Sequence, residues 1–249
     1  MSQPRVILIS MTLTSALAQT LFSYVASVRP NNSAEPRTLV EYSPGGRLTA
    51  TAVTVRALLR TAYRVQDYQI AGAPAWIATK RFDIAAKVDD TPPPTNQIFL
   101  QTLLADRFGI VVHNETRELP TFALVLAKSK PGPQLIRSDF DCAAYAAGPH
   151  PLPVPGKTPD CAARANMGSY SGKAIALSQL AASLGAFAER FTVDKTGLSG
   201  RFDVELTWDD ASGLSLFTAL QEQLGLKLVA EKGPVPVLVV DRAAEPLGN

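Results

Sequence analysis

Arg81-Phe-Asp-Ile-Ala-Ala-Lys-Val-Asp-Asp90 returns 120 residues later as Arg201-Phe-Asp-Val-Glu-Leu-Thr-Trp-Asp-Asp210. Both phrases alternate apolar and polar residues, the period of a half-buried strand. Phe82, Ile84 and Ala86 fall on one face in the first copy, and Phe202, Val204 and Leu206 in the second. Upstream, Gly46–Leu58 matches Gly168–Leu180 at an offset of 122; downstream, Leu100–Ile110 matches Leu216–Leu226 at 116, which Pro120 and Pro236 keep. Matched blocks in the same order predict an internal duplication.

Each unit reads outward from its strand. Gly46–Leu58 and Gly168–Leu180 are β-prone stretches that run into helices, with Val55, Leu58, Leu59 and Ala62 at helical spacing in one and Leu177, Leu180, Ala181 and Leu184 in the other. A second helix follows the repeated phrase, with Leu100, Leu103, Leu104 and Phe108 on one stripe and Leu216, Phe217, Leu220 and Leu224 on its counterpart. Gly109 and Gly225 stand where a helix ends in the left-handed region. Ile110–Val112 with Thr121–Leu126, and Leu226–Leu228 with Val235–Val240, predict a closing hairpin in each unit. The fold class expected is α+β: two tandem, duplicated small β-α-β-α-β-β units joined by a Pro/Gly-rich linker. The boundaries are 19–128 for the first unit, 129–166 for the linker and 167–249 for the second. A further strand, Phe22–Arg29, is expected to complete the first sheet.

The first 18 residues read as an export signal. Arg5 precedes the apolar run Val6–Leu17, and Ala16-Leu17-Ala18 supplies small residues for cleavage. The run is short of the roughly 20 apolar residues that a membrane-spanning helix needs, so a periplasmic or extracellular address with no membrane span in the mature chain is expected. Two cysteines, Cys142 and Cys161, lie in the linker segment. An oxidising compartment favours a disulfide between them, with free thiols or a metal site near His150 as the other readings. A net charge of +2, with 24 basic and 22 acidic residues scattered along the chain, gives no basic stripe for nucleic acid.

The residues now quoted, with several others, carry a resemblance. Val25-Ala-Ser-Val-Arg-Pro30, Gly46-Arg-Leu-Thr-Ala50, Trp76 ahead of Arg81-Phe-Asp83, Val112–Pro120, Asp194–Asp203 and Leu216–Leu226 resemble a family of secreted bacterial domains of unknown function, labelled soil-associated. The likeness covers Phe22 to Ala244; Ser23-Tyr24 departs from it, an acidic residue being expected after the Phe. Membership implies no established activity and no catalytic residue to carry over. Fusions of related domains behind membrane metallopeptidases of the antibiotic-sensing type imply a sensory or binding role. More distantly, each unit is similar in element order to the short N-terminal modules of secretins and TonB-dependent receptors, which dock proteins.

Motifs for chemistry are sparse. Asp194-Lys-Thr-Gly197 lacks the Ser-x-x-Lys that a β-lactamase-type site requires. Gly156-Lys-Thr158 has Pro151 where a phosphate loop needs its first Gly. His113 and His150 have no nucleophile elbow to serve. Asp89-Asp90 and Asp209-Asp210 end strands, where neighbouring side chains diverge, and Trp76 and Trp208 suit packing. No catalytic residue, cofactor or metal is expected, and an enzyme is the less favoured class. The function expected is an exported binding or envelope-interaction module, its partner an envelope protein, a peptide or a glycan. A secreted or periplasmic hydrolase using His113 is the alternative.

Overall fold

The computed structural model describes residues 22–34, 37–90, 93–148 and 157–246. The export signal expected at 1–18 and His150 lie outside them. The chain is a mixed α+β protein, with three four-stranded sheets and six helices among the described residues. By contacts it divides into two compact units: the described residues up to Ala62 with Trp76–Phe108 and Glu245 onward, and Tyr63–Ala75 with Gly109–Ala244.

The first unit holds β1 (Tyr24–Asn31), β2 (Leu39–Ser43), β3 (Arg47–Thr54), helix α1 (Val55–Tyr63) and a strand in the second unit, β4 (Ile70–Ala71), follows it in sequence. It continues with α2 (Trp76–Thr79), β5 (Arg81–Val88) and α3 (Asn96–Phe108). Its sheet is wholly antiparallel in the order β1-β5-β3-β2. The strand expected near residue 22 is β1, and it does complete this sheet along β5. Phe82, Ile84 and Ala86 point inward and are buried, as are Leu58, Leu59, Leu100, Leu103 and Leu104 of the two long helices. Ring pairs Phe82–Phe108 at 5.2 Å and Tyr24–Phe99 at 5.5 Å tie α3 to β5 and β1. Each fully buried large apolar side chain contributes about 1.5–3 kcal/mol.

The second unit adds β6 (Val111–Leu126), β7 (Leu135–Ser138), α4 (Cys142–Ala147), β8 (Ala162–Asn166), β9 (Ser169–Ile175) and α5 (Leu177–Phe187). Then come β10 (Thr192–Asp194), β11 (Arg201–Thr207), α6 (Leu216–Ala219, widening into a π-helical turn over Leu220–Leu224) and β12 (Leu226–Arg242). One antiparallel sheet has the order β7-β11-β9-β8, the same pattern of connection as β1-β5-β3-β2. Phe202, Val204 and Leu206 are buried in one cluster with Leu177, Leu180 and Leu184 of α5 and Leu216, Leu220 and Leu224 of the last helix.

The third sheet, β10-β6-β12-β4, corrects the expected closing hairpins. β6 and β12 are single strands of 16 and 17 residues that pair antiparallel with each other along their length, from Leu226 opposite Leu126 to Arg242 opposite Val111. The polar stretch His113–Leu119 has no Gly or Pro for a tight turn, and its side chains are largely exposed. It carries no hydrophobic period because a distant partner, not a core, pairs it. The amide of Phe122 donates to the Phe191 carbonyl, and that of Lys195 to the Leu124 carbonyl. Even-numbered residues of β6 therefore turn their backbone groups away from β12. Pro120, with Pro234 and Pro236 opposite Glu118 and Thr116, occupies such outward positions, where proline removes no ladder bond.

The expected linker also needs correction. Its described residues, 129–148 and 157–166, contain β7, α4 and β8. At Gly132 the small residue serves close packing. The Gly132 amide donates to the Leu224 carbonyl at 2.8 Å. A Cβ on Gly132 would lie 2.5 Å from the Gln223 carbonyl oxygen, and one on Gly225 would lie 2.6 Å from the Gly132 amide nitrogen.

Candidate functional site

The repeated Arg-Phe-Asp phrase does structural work in both sheets. β3 and β9 each carry a bulge opposite it, and each places an alanine in the left-handed region, Ala52 at φ 51° and Ala174 at φ 49°. That conformation costs an L-residue roughly 1–2 kcal/mol. Asp83 Oδ1 accepts from the Ala52 amide at 2.9 Å, and Asp203 Oδ1 from the Ala174 amide at 2.8 Å. Arg201 adds a bond from its guanidinium to the Ala174 carbonyl at 2.8 Å. These carboxylates hold a strained strand.

The other residues singled out resolve as follows. Cys142 and Cys161 form a disulfide with Cα atoms 5.6 Å apart, tying α4 to the start of β8. Asp194 accepts from the amide and hydroxyl of Thr196, and Gly197 takes a φ of +72°, so Asp194–Gly197 is a turn. Asp209 closes a turn through its backbone bonds to Leu214 and its side-chain bond to Ala211, while Asp90 accepts from the Ser23 amide. The Asp210 side chain lies outside the described residues. Trp208 is buried against Phe187 at 5.0 Å, and Trp76 packs edge-on to Phe82 at 6.3 Å.

His113 is brought to an acid. It sits on β6, its Nδ1–H donates to Asp241 of β12 at 2.9 Å, and Glu115 lies 3.7 Å from Nε2. The Asp241 hydrogen bond, with the two negative charges, raises its pKa above the ordinary 6.5. The ring is half exposed on the strand face and lines neither the cavity over β3 nor the one over β9.

A feature that the sequence reading did not place is a sheet edge. β2 is exposed along all five residues, and among the described residues it has a partner, β3, on one side only. The Val88 amide donates to the Gly46 carbonyl, so even-numbered residues at this end of β3 bond to β5 and odd-numbered ones to β2. On β2 that leaves the N–H and C=O of Val40 and Tyr42 facing outward. Val40 lies opposite buried Ala50 and Tyr42 opposite buried Leu48, on the core side of the sheet, yet they are 38% and 37% exposed. Leu39, on the other side, is 48% exposed. Natural edges are blunted by proline, lysine or shortness. β1 has Pro30, the β6–β12 ribbon has its three outward prolines, and β4, β7 and β10 have two to four residues. β8 is Ala-Ala-Arg-Ala-Asn, without a large apolar side chain. β2, Leu-Val-Glu-Tyr-Ser, has no proline and no lysine, its single charge is Glu41, and three of its five residues are large and apolar or aromatic. Its signal in the sequence was five residues of alternating character with no second apolar face to satisfy, too short to mark as an edge.

Comparison with known proteins adds the family. The model described as "Protein of unknown function (DUF3738)" matches residues 56–243. The chain belongs to the DUF3738 family. The matched span takes in both bulge-holding aspartates and the whole β6–β12 ribbon, while β1 and β2 precede it. No curated protein and no solved structure matches this DUF3738 chain. Among its described residues no helix is long and apolar enough to cross a membrane.

Proposed function

We propose that this protein is an exported binding module that captures an extended peptide segment by strand addition to β2. The observation that carries the reading is the outward-facing backbone of Val40 and Tyr42, flanked by apolar side chains that their own sheet leaves uncovered. Main-chain bonds to such an edge supply affinity, and alternate side chains supply selectivity. The ligand strand suited to it carries apolar residues beside Val40 and Tyr42 and a Lys or Arg beside Glu41, since opposite charges across a strand pair attract. A second copy of β2 pairing about Glu41 would set like charges face to face, which disfavours self-association in that register.

The architecture behind this reading is a duplicated unit, β1–β6 followed by β7–β12. The shared strand order, the paired bulges and the paired aspartates support it. In that scheme the short strands cross over: β4 pairs with β12, and β10 with β6. Export is the remaining part of the proposal, supported by the disulfide and the basic-then-apolar start of the chain.

Selection of peptides from a random display library on the oxidised protein tests the reading. The expected outcome is enrichment of apolar-basic-apolar segments, lost with Val40→Pro, which removes one outward donor and no ladder bond to β3. Enrichment that is indifferent to Val40→Pro refutes capture at β2. The His113–Asp241 pair favours a second reading, hydrolysis with His113 as base; turnover in a hydrolase panel abolished by His113→Ala would establish it.

A further inference from the structure

The outer face of the second antiparallel sheet holds a cavity of about 620 Å³ over β8, β9 and β11. One row of the ladder crosses its floor: Arg164 on β8, Ser171 on β9 and Glu205 on β11. The short serine between two long charged side chains makes the low point. Thr158 donates to the Ser171 hydroxyl at 2.8 Å, and Ser171 donates to Glu205 at 2.8 Å. Arg164 is anchored by one bond to the Lys157 carbonyl, at 3.2 Å. A guanidinium carries about five N–H donors, so this contact fixes it without exhausting it. Lys157 and Lys173 add two cations to the lining, and Lys173 lies 3.4 Å from Asp203.

The ladder itself does not require this cluster. The bulges at Ala52 and Ala174 bring the two antiparallel sheets into register, with Thr49 at the place of Ser171 and Ala85 at that of Glu205. The sheet with Thr49 and Ala85 forms the same strand order with neutral side chains there, and the cavity on its outer face, about 480 Å³, has no carboxylate in its lining. The hydroxyl–carboxylate chain is therefore an addition to one sheet, not a condition of the fold, while cations line both cavities, Arg47 and Lys87 in the one over β3.

We infer that this cavity binds an acidic saccharide of one or two sugar rings, a uronic acid. Its volume lies in the range of small-ligand sites, roughly 300–1,000 Å³. Lys157 and Arg164, with Lys173 shared with Asp203, outweigh the one lining carboxylate, Glu205, and so select an anion, and a guanidinium meets a carboxylate in bidentate fashion. Glu205 accepts from sugar hydroxyls, and Ser171 and Thr158 exchange bonds with them. The lining has no exposed aromatic ring for stacking, so charge and hydroxyl contacts carry recognition. This site is separate from the β2 edge and stands or falls without it.

The test is titration of the oxidised full chain with sodium glucuronate, sodium galacturonate, glucose and inorganic phosphate, followed by amide NMR. Saturable shifts on β8, β9 and β11 are expected with either uronate, at least tenfold weaker with glucose and with phosphate. Arg164→Ala and Ser171→Val, both on the outer face, should each weaken uronate binding about tenfold while leaving the remaining spectrum folded. A tetragalacturonate binding more tightly than the monosaccharide identifies a polymer as the source; equal binding identifies the free sugar acid. The inference is overturned if neither uronate shifts these strands, if phosphate binds as tightly as uronate, or if both variants bind like the parent.

Discussion

Asp83 and Asp203 explain why the chain states one phrase twice. Each carboxylate satisfies the amide of an alanine held at positive φ, in a bulge one strand away. The inward Phe and aliphatic residues of that phrase were legible from alternation alone. The role of the Asp was not, because an alanine in the left-handed region leaves no mark in Thr49–Val53 or Gly172–Ile175. Asp203→Ala should cost about 1–3 kcal/mol, the worth of a hydrogen bond to a charged acceptor. Asp203→Asn, which keeps an acceptor, should cost less. Urea unfolding of both variants checks the order, and equal losses would show that the carboxylate acts otherwise. A second residue-scale expectation concerns His113. Its partner Asp241 raises the imidazole pKa above 6.5, so the stabilising contact is complete below that pH and is lost as pH rises through the folded-state value. NMR titration should place His113 above the free value, and Asp241→Asn should bring it down; an unchanged midpoint contradicts the pairing.

Two errors of sequence reading have physical causes at the scale of elements. The hairpins were expected because apolar ends flank polar middles in Ile110–Leu126 and Leu226–Val240, yet those middles pair with each other across the ribbon. Pairing between residues more than 100 positions apart leaves no local period to find. The linker was expected because Pro131-Gly132-Pro133 has spacer composition, whereas Gly132 and Gly225 meet too closely for any Cβ. Gly132→Ala should therefore destabilise by about 1–3 kcal/mol, as overpacking does, measured by thermal or urea unfolding; a true spacer would tolerate it. The disulfide was legible from compartment and spacing. It closes a loop across a sequence separation of 19, so the Cys142→Ser, Cys161→Ser double variant should lose about 3 kcal/mol in the chain-entropy account. A loss near zero would show that α4 is held to β8 by other contacts.

For the whole molecule, the α+β class, helices α1, α3 and α5 and the buried faces of β5 and β11 were readable from pattern. The candidate site was not, since an edge is defined by what fails to pair with it. β2 carries backbone donors and acceptors aimed at solvent, beside Val40 and Tyr42 on the uncovered core-side margin of its sheet. Strand capture by β2 predicts that these outward amides, and not the inward amides of Leu39, Glu41 and Ser43, gain protection when a ligand adds. The most direct measurement is residue-resolved amide hydrogen exchange, with and without a saturating selected peptide. Slowing by tenfold or more at Val40 and Tyr42, absent in Val40→Pro mixed with the same peptide, is the result expected. Bound peptide with exchange at Val40 and Tyr42 unchanged would contradict the account.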